Sequence, residues 1–277
     1  MNYQNTLLKT YRKEIWSKFM RGITDYDLIQ KGDTIAVCIS GGKDSMLLAL
    51  CFKVLQTFSK IEFNVKYLVM DPGYNEVNRQ KIIDNAKDLD IDITIFDSSI
   101  FSAINDEEKS PCYRCARMRR GHLYQFAKEL GCNKIALGHH YDDVIETIVI
   151  NMFYGGQMGT MLPRLQSTSN PDMELIRPLT LVRERDIIRW VNHINLTFLK
   201  CACPLTEGVN DDELATKSKR QEIKKLIECL AKDNPFLEAN IFRSVENVNL
   251  NKIMSYYDDD KNVEFLDRFS VGGNDEF

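Results

Sequence analysis

A parallel α/β sheet with helices on both faces is the fold this sequence predicts, and three features predict it. Short apolar runs alternate with helical patterns from residue 31 to about residue 155. The first run, Thr34-Ile35-Ala36-Val37-Cys38-Ile39, is apolar at nearly every position, as a strand buried on both faces requires. The segments rich in Gly, His and Asp fall just after such runs, where parallel sheets bind their ligands.

The elements follow in order. Leu7, Leu8, Tyr11, Ile15 and Phe19 keep helical spacing, so residues 7–29 read as an N-terminal helical lead-in. After the strand at 34–39 comes an apolar helix, Met46–Phe58. Val65–Met70 reads as a strand, Tyr74–Leu89 as a helix, Ile91–Phe96 as a strand and Tyr113–Leu130 as a helix. Asn133–Leu137 is a short apolar strand, and Val144–Phe153 is a helix. From Gly155 to Asn170 the pattern loosens into a Gly- and Met-containing loop. Val182–Asn195 and the charged, amphipathic Asp211–Ala231 read as later helices. The expected organisation is a lead-in over 1–30, an α/β domain over 31–200, a helical region over 201–250 and an acidic, flexible tail over 251–277.

The chain has 277 residues, 44% hydrophobic and 27% charged, which suits one large globular domain with an appendage. No apolar run reaches the roughly 18 residues of a membrane span. Met1 to Met20 is polar and charged and lacks an apolar h-region, so a cytoplasmic location is expected. The net charge of −4 weighs against a protein that simply coats nucleic acid, although a local basic patch can act within an acidic chain. In a reducing compartment the eight cysteines point to metal binding or catalysis where they cluster, rather than to disulfides.

Ser40-Gly41-Gly42-Lys43-Asp44-Ser45 joins the first strand to its helix. Two glycines let the backbone approach an anion, and the helix start directs free N–H groups and a positive dipole at the same point. Lys43 and the two serines add donors. The spacing is not that of the Walker loop. Asp44 would repel a bound phosphate unless a cation such as Mg²⁺ lay between them; the plainer role is an acid well placed in a first helical turn.

Cys112 and Cys115 stand at i and i+3 at the start of a helix that continues into Ala116-Arg117-Met118-Arg119-Arg120. Zinc, a redox dithiol and an iron–sulfur cluster all suit such a pair. Cys201-Ala202-Cys203-Pro204 is too tightly spaced to hold one tetrahedral metal well, so one of its thiols is the natural third ligand to the first pair. Three thiolates would leave one iron of a [4Fe–4S] cluster open to sulfide. Cys38, Cys51, Cys132 and Cys229 read as small structural residues. Leu137-Gly138-His139-His140-Tyr141-Asp142-Asp143 closes a strand and opens a helix that carries Glu146. It could hold Mg²⁺ or orient a nucleophile, or Asp142 or Asp143 could simply cap the helix. His139 and His140 are candidate proton carriers.

Taken together, Ser40–Ser45, the Cys112/Cys115 pair, residues 116–121, residues 137–143, Glu146-Thr147, residues 151–156, Arg177-Pro178-Leu179 and a downstream cysteine resemble the tRNA 2-thiocytidine synthetases, the TtcA family. Its phosphate loop is the PP-loop of the ATP pyrophosphatases. The resemblance covers residues 30–245 and implies the adenine nucleotide alpha hydrolase-like fold. It implies that ATP adenylates the C2 carbonyl of a cytidine in a tRNA anticodon loop, after which sulfur from a [4Fe–4S] cluster displaces AMP. Ser40, Gly41, Gly42, Lys43, Asp44 and Ser45 would then hold the pyrophosphate part of ATP, with Gly138 and Asp142 also at the nucleotide and Asp44 helping to hold Mg²⁺. Cys112, Cys115 and Cys203 (or Cys201) would ligate the cluster. Asp44, Arg119 and Asp143 would be catalytic. Arg119 would act by charge, since a guanidinium stays protonated. Arg114, Arg117, Arg119, Arg120, Arg183, Arg185 and Arg189 are candidate RNA phosphate contacts. A homodimer and a sulfur donor such as a cysteine desulfurase belong to the same expectation.

The chain departs from the family at Cys201-Ala202-Cys203-Pro204, where Cys-x-x-Cys-Gly is usual. Alternatives are a PP-loop enzyme that adenylates another tRNA base or a small molecule, and a nucleotide-responsive iron–sulfur protein without turnover.

Overall fold

A computed structural model of the chain describes residues 2–98, 100, 111–199, 219–258 and 261–269, with backbone alone for 111–116. A six-stranded sheet runs in the order β3-β2-β1-β4-β6-β5. Its strands are β1 (Thr34–Ile39), β2 (Asn64–Asp71), β3 (Ile93–Asp97), β4 (Lys134–Ala136), β5 (Arg164–Gln166) and β6 (Glu174–Ile176). All neighbours pair in parallel except β5, which runs antiparallel on β6 at the edge.

Strand β1 carries the core because both of its faces are covered. Ile35, Val37 and Ile39 join one apolar cluster, and Ala36 and Cys38 join a second on the other side. The first cluster is filled by helix α3 (Lys43–Phe58), whose residues Met46 to Phe52 are all fully buried. A helix apolar on all sides needs partners on all sides. The sheet supplies one. The others are helix α4 (Glu76–Asp88), helix α7 (Glu184–Ile194) and the N-terminal helical segment. Helix α5 (Pro111–Glu129) packs on the opposite face through Ala127. Helices α6 (Tyr141–Gly155), α8 (Lys219–Ala231) and α9 (Leu237–Ser244) build a third cluster around Ile148, Ile227 and Phe242.

Several expectations are sharpened or corrected. The N-terminal segment is helical from Tyr3 to Asp25, as α1 (Tyr3–Asn5), two wide turns and α2 (Ser17–Asp25). The wide turns carry i→i+5 bonds such as Tyr11 N–H to the Thr6 carbonyl at 2.8 Å. They keep Leu7, Ile15 and Phe19 in the main core, and Trp190 of α7 donates to the Thr6 hydroxyl at 3.0 Å. The expected loop at 155–170 contains β5 and is followed by β6. These three-residue strands are too short to leave a periodic signal. The expected flexible tail contains a hairpin, β7 (Ser255–Asp258) with β8 (Lys261–Glu264), followed by the short helix α10 (Phe265–Phe269). Of the helix expected at 211–231, only Lys219–Ala231 falls within the described residues. Cys38, Cys51 and Cys132 are buried thiols, as expected, whereas Cys229 is exposed.

Strand order reverses at β1, with β2 on one side and β4 on the other. Such a switch point opens a crevice beyond the carboxyl ends of the two strands. The loops after β1 and β4 flank it.

Candidate active site

The loop after β1 is held in shape by its own groups. Gly41 has φ +81°, a conformation that side-chain-bearing residues rarely adopt, and a Cβ there would lie 2.7 Å from Ile82. Gly42 stands at the N-terminus of α3 with no side-chain cap, which leaves the helix-start N–H groups for an anion. The Ser45 hydroxyl donates to the Gly42 carbonyl at 3.0 Å and accepts from the Ser40 N–H at 3.1 Å. Ser45 therefore staples the loop, and Ser40 remains at the cleft wall.

Lys43 and Asp44 open α3. The Lys43 ammonium donates to Asp44 Oδ2 at 3.1 Å and to Glu184 Oε1 at 3.0 Å. The other oxygen, Asp44 Oδ1, is buried and has no hydrogen-bond partner. Burial raises the Asp44 pKa, against the pull of the Lys43 charge. A buried carboxylate oxygen without a donor is what a divalent cation would satisfy, so this site fits Mg²⁺. Among the described residues no group of three His, Cys, Asp or Glu side chains forms a ready cation cage. Mg²⁺ typically arrives with phosphates and needs only one or two carboxylates.

The loop after β4 comes close to this one. A Cβ on Gly138 would lie 3.0 Å from the Asp44 and Ser45 backbone, so only glycine lets the two loops approach this closely. His140 caps α6: its Nδ1 accepts from the Asp143 N–H at 3.4 Å, and Asp143 Oδ2 accepts from the His140 N–H at 3.0 Å. With Nδ1 accepting, the ring proton sits on Nε2, 3.9 Å from Asp44 Oδ1. Asp143 also pairs with Arg220 of α8 at 2.9 Å.

Asp142 is directed elsewhere. Its Oδ1 takes Arg183 Nη2 at 3.0 Å, and its Oδ2 accepts from the Glu184 N–H at 2.6 Å, which fixes the start of α7. Arg183 also donates to Glu238 Oε2 of α9 at 2.8 Å. Glu184 in turn pairs with Lys224 of α8 at 2.6 Å. Burial alone would raise the Glu184 pKa, but Lys224 and Lys43 hold it at about 2.

Between the two loops lies a cleft of about 340 Å³ lined by Ser40, Asp44, Arg119, Leu123, Gly138, His139 and Asp143, with Cys38, Ile39, Met70 and Tyr74 among its apolar and aromatic walls. His139 is largely shielded. Burial lowers its pKa to about 4, which keeps the imidazole neutral, and its Nδ1 has no hydrogen-bond partner. The cleft can therefore hold a polyphosphate against helix-start N–H groups, with fixed charges on either side.

The structure brings Ser40, Asp44, Ser45, Gly138, Arg119 and Asp143 to one cleft. Asp142 is absent from the lining, and its oxygens are paired with Arg183 and Glu184. Positions 112 and 115 fall in the first turn of α5, on the helical stripe that continues to Arg119. Their side chains, and Cys201 and Cys203 entirely, lie outside the described residues. Two thiols one turn apart, on the helix whose next turn places Arg119 at the cleft, suit a metal cluster as a donor set. Of the arginines considered for RNA, Arg117, Arg120 and Arg185 are exposed, Arg189 pairs with Asp186 at 3.6 Å, and Arg183 is engaged by Asp142 and Glu238. The side chain of Arg114 lies outside the described residues. Glu184, Arg220, Lys224 and Glu238 went unnoticed in the sequence. They come from helices 40 or more residues beyond the motifs they touch, and no local pattern marks them.

Comparison with known proteins follows the same lines. Residues 11–203 match the family model described as the PP-loop domain (ATP_bind_3). The chain is 35% identical to the tRNA-cytidine(32) 2-sulfurtransferase of Vibrio campbellii, over 88% of this chain and 79% of that one. It is 33% identical to the protein of the same name from Coxiella burnetii, over 90% of this chain and 94% of that one. Its backbone resembles the U34-tRNA thiolase NcsA from Methanococcus maripaludis, solved with its [4Fe-4S] cluster, with a TM-score of 0.64 at 20% identity over 83% of this chain and 76% of that one.

Proposed function

Because the chain belongs to the PP-loop tRNA 2-thiocytidine synthetase (TtcA) family, we propose that it is an ATP-dependent tRNA sulfurtransferase that converts the cytidine at position 32 to 2-thiocytidine. The observation that carries the catalytic reading is the buried, unpartnered Asp44 Oδ1 at the mouth of an uncapped helix N-terminus.

In this reading the ATP triphosphate lies over residues 40–45, its pyrophosphate end on the loop and α3 N–H groups and on Lys43. Asp44, with Asp143 across the crevice, would hold Mg²⁺, which when bound would offset phosphate charge. Helix α5 aims Arg119 into the cleft, where its guanidinium meets negative charge developing at the α-phosphorus. The C2 carbonyl oxygen of the cytidine attacks that phosphorus. The bond from the α-phosphorus to the bridging oxygen breaks, and pyrophosphate leaves. Activation makes C2 electrophilic; its bond to oxygen then breaks as sulfur replaces AMP. Cys112, Cys115 and Cys203 (or Cys201) would hold the [4Fe–4S] cluster, which supplies that sulfur when bound.

Asp142 holds Arg183 and α7 in this reading and does not contact nucleotide. Exposed Arg117 and Arg120 on α5 meet the tRNA backbone. Among the described residues no helix is long and apolar enough to cross a membrane, and an enzyme acting on tRNA would work in the cytoplasm. A homodimer and a cysteine desulfurase-type sulfur donor complete the proposal. The test is 2-thiocytidine formation by anaerobically purified protein with ATP, Mg²⁺, a sulfide source and unmodified tRNA. The product should form with the original chain and be lost with Cys112→Ala, while that variant still binds ATP. Product formation by the variant would remove the cluster from the mechanism.

A further inference from the structure

Glu184 lies outside every motif described above, yet it grips the lysine of the phosphate loop. We propose that Glu184 is a positioning residue that orients Lys43 toward the ATP phosphates, and that Lys224 of α8 balances the Glu184 charge. This rests on the ATP-cleaving reading.

A lysine has a flexible four-carbon stem and three ammonium donors, so alone it would meet a phosphate from many rotamers. Two of the Lys43 donors are fixed, on Asp44 Oδ2 at 3.1 Å and Glu184 Oε1 at 3.0 Å. The third is left to address a phosphate oxygen. Asp44 is the next residue in the chain and moves with the loop. Glu184 comes from α7 and supplies an external reference point.

Glu184 is itself held firmly. Its N–H donates to Asp142 Oδ2 at 2.6 Å, its Oε2 accepts from Lys224 at 2.6 Å, and its side chain is only 19% exposed. Its low pKa, about 2, keeps it anionic throughout the physiological range. An anion beside a phosphate site would weaken ATP binding, and Lys224 offsets it. The charges of Lys43, Asp44, Glu184 and Lys224 sum to zero, so the lysine is oriented without a net repulsive field. An ordinary surface ion-pair chain would affect stability slightly and leave both ATP affinity and turnover unchanged.

This arrangement predicts opposite effects of removing the two partners. The variants are Glu184→Gln, Lys224→Met and the double variant, measured for Mg²⁺–ATP affinity by equilibrium titration and for the tRNA-dependent rate of AMP formation. Glu184→Gln removes a negative charge and should bind ATP about three- to tenfold tighter, the size expected of one charge about 6 Å from a phosphate at an effective dielectric between about 40 and the roughly 80 of water. It should nevertheless form AMP roughly tenfold more slowly, because Lys43 is no longer oriented. Lys224→Met should weaken ATP binding by about three- to tenfold. The double variant should return to roughly the original affinity while remaining slow. Shifts of the two single variants in the same direction, or an unchanged rate in Glu184→Gln, would overturn the proposal. Should Glu184→Gln fail to fold, an unchanged affinity in Lys224→Met is enough to overturn it. If the original chain cleaves ATP and these variants do not split as described, only this inference fails. If the original chain does not bind ATP, the functional reading fails and takes this inference with it.

Discussion

The loops after β1 and β4 have much in common: each ends a buried parallel strand, each opens a helix, and each places acid in its first turn. Their carboxylates differ in what already surrounds them. Asp44 keeps one buried oxygen without a donor. Asp142 has both oxygens bonded, to Arg183 and to the Glu184 N–H, and Asp143 is bonded to Arg220 and the His140 N–H while still facing the cleft. Residue type and place in the motif are alike. What separates a ligand-ready acid from a fold-holding one is whether its partners are already present.

The sharpest way to break this comparison is to exchange the consequences. Asp44→Asn should slow AMP formation by about 10³-fold, with stability little changed, because in the proposed mechanism it removes a cation ligand and a charge that matters at the transition state. Asp142→Asn should do the reverse, with activity within about tenfold and a loss of about 1–2 kcal/mol, since a charge-assisted pair becomes a neutral one. Urea unfolding together with AMP release measures both; equal activity losses would erase the distinction. Arg183→Met goes further on the structural side. It strands Asp142 and Glu238 together and should cost about 3 kcal/mol in the same unfolding assay.

Smaller effects sharpen the contact between the loops. Gly138→Ala would set a methyl group 3.0 Å from the Asp44 and Ser45 backbone and push the two loops apart. A cost of about 1–2 kcal/mol and weaker ATP binding are expected from thermal melts and titration. Glu146, buried beside Arg220, gives the smallest effect and shows it as pH dependence. Burial raises its pKa from 4.5 to about 7, so the folded state holds the proton more tightly than the unfolded chain. Stability from this group is present below pH 4.5 and is lost as pH rises toward and through 7. Glu146→Gln should flatten that slope and leave the protein about 1 kcal/mol more stable at pH 8 than the original.

Much of this site could be read from the sequence, for a physical reason. The β1 run and the apolar helix α3 are buried on every side, so their residues carry an unbroken hydrophobic signal, and the glycines between them can be read as backbone geometry. The loop after β4 was legible as a motif, but the separate tasks of Asp142 and Asp143 were not. Those tasks depend on Arg183, the Glu184 N–H and Arg220, which reach the site from about 40 to 80 residues downstream through tertiary packing alone. Strands β5 and β6 escaped because three residues define no period, and the β7–β8 hairpin escaped because its four-residue strands are polar and charged, as a disordered tail would be.

In the proposed reaction the β1 loop directs cleavage of ATP between its α- and β-phosphates, with the adenylyl group passing to tRNA. The most direct test is to incubate anaerobically prepared protein with ATP labelled at the α-phosphate, Mg²⁺ and unmodified tRNA, and to identify the nucleotide products. AMP and pyrophosphate are expected, dependent on tRNA and formed about 10³-fold more slowly by Asp44→Asn. ADP with inorganic phosphate, or no nucleotide cleavage in the presence of tRNA, would contradict it.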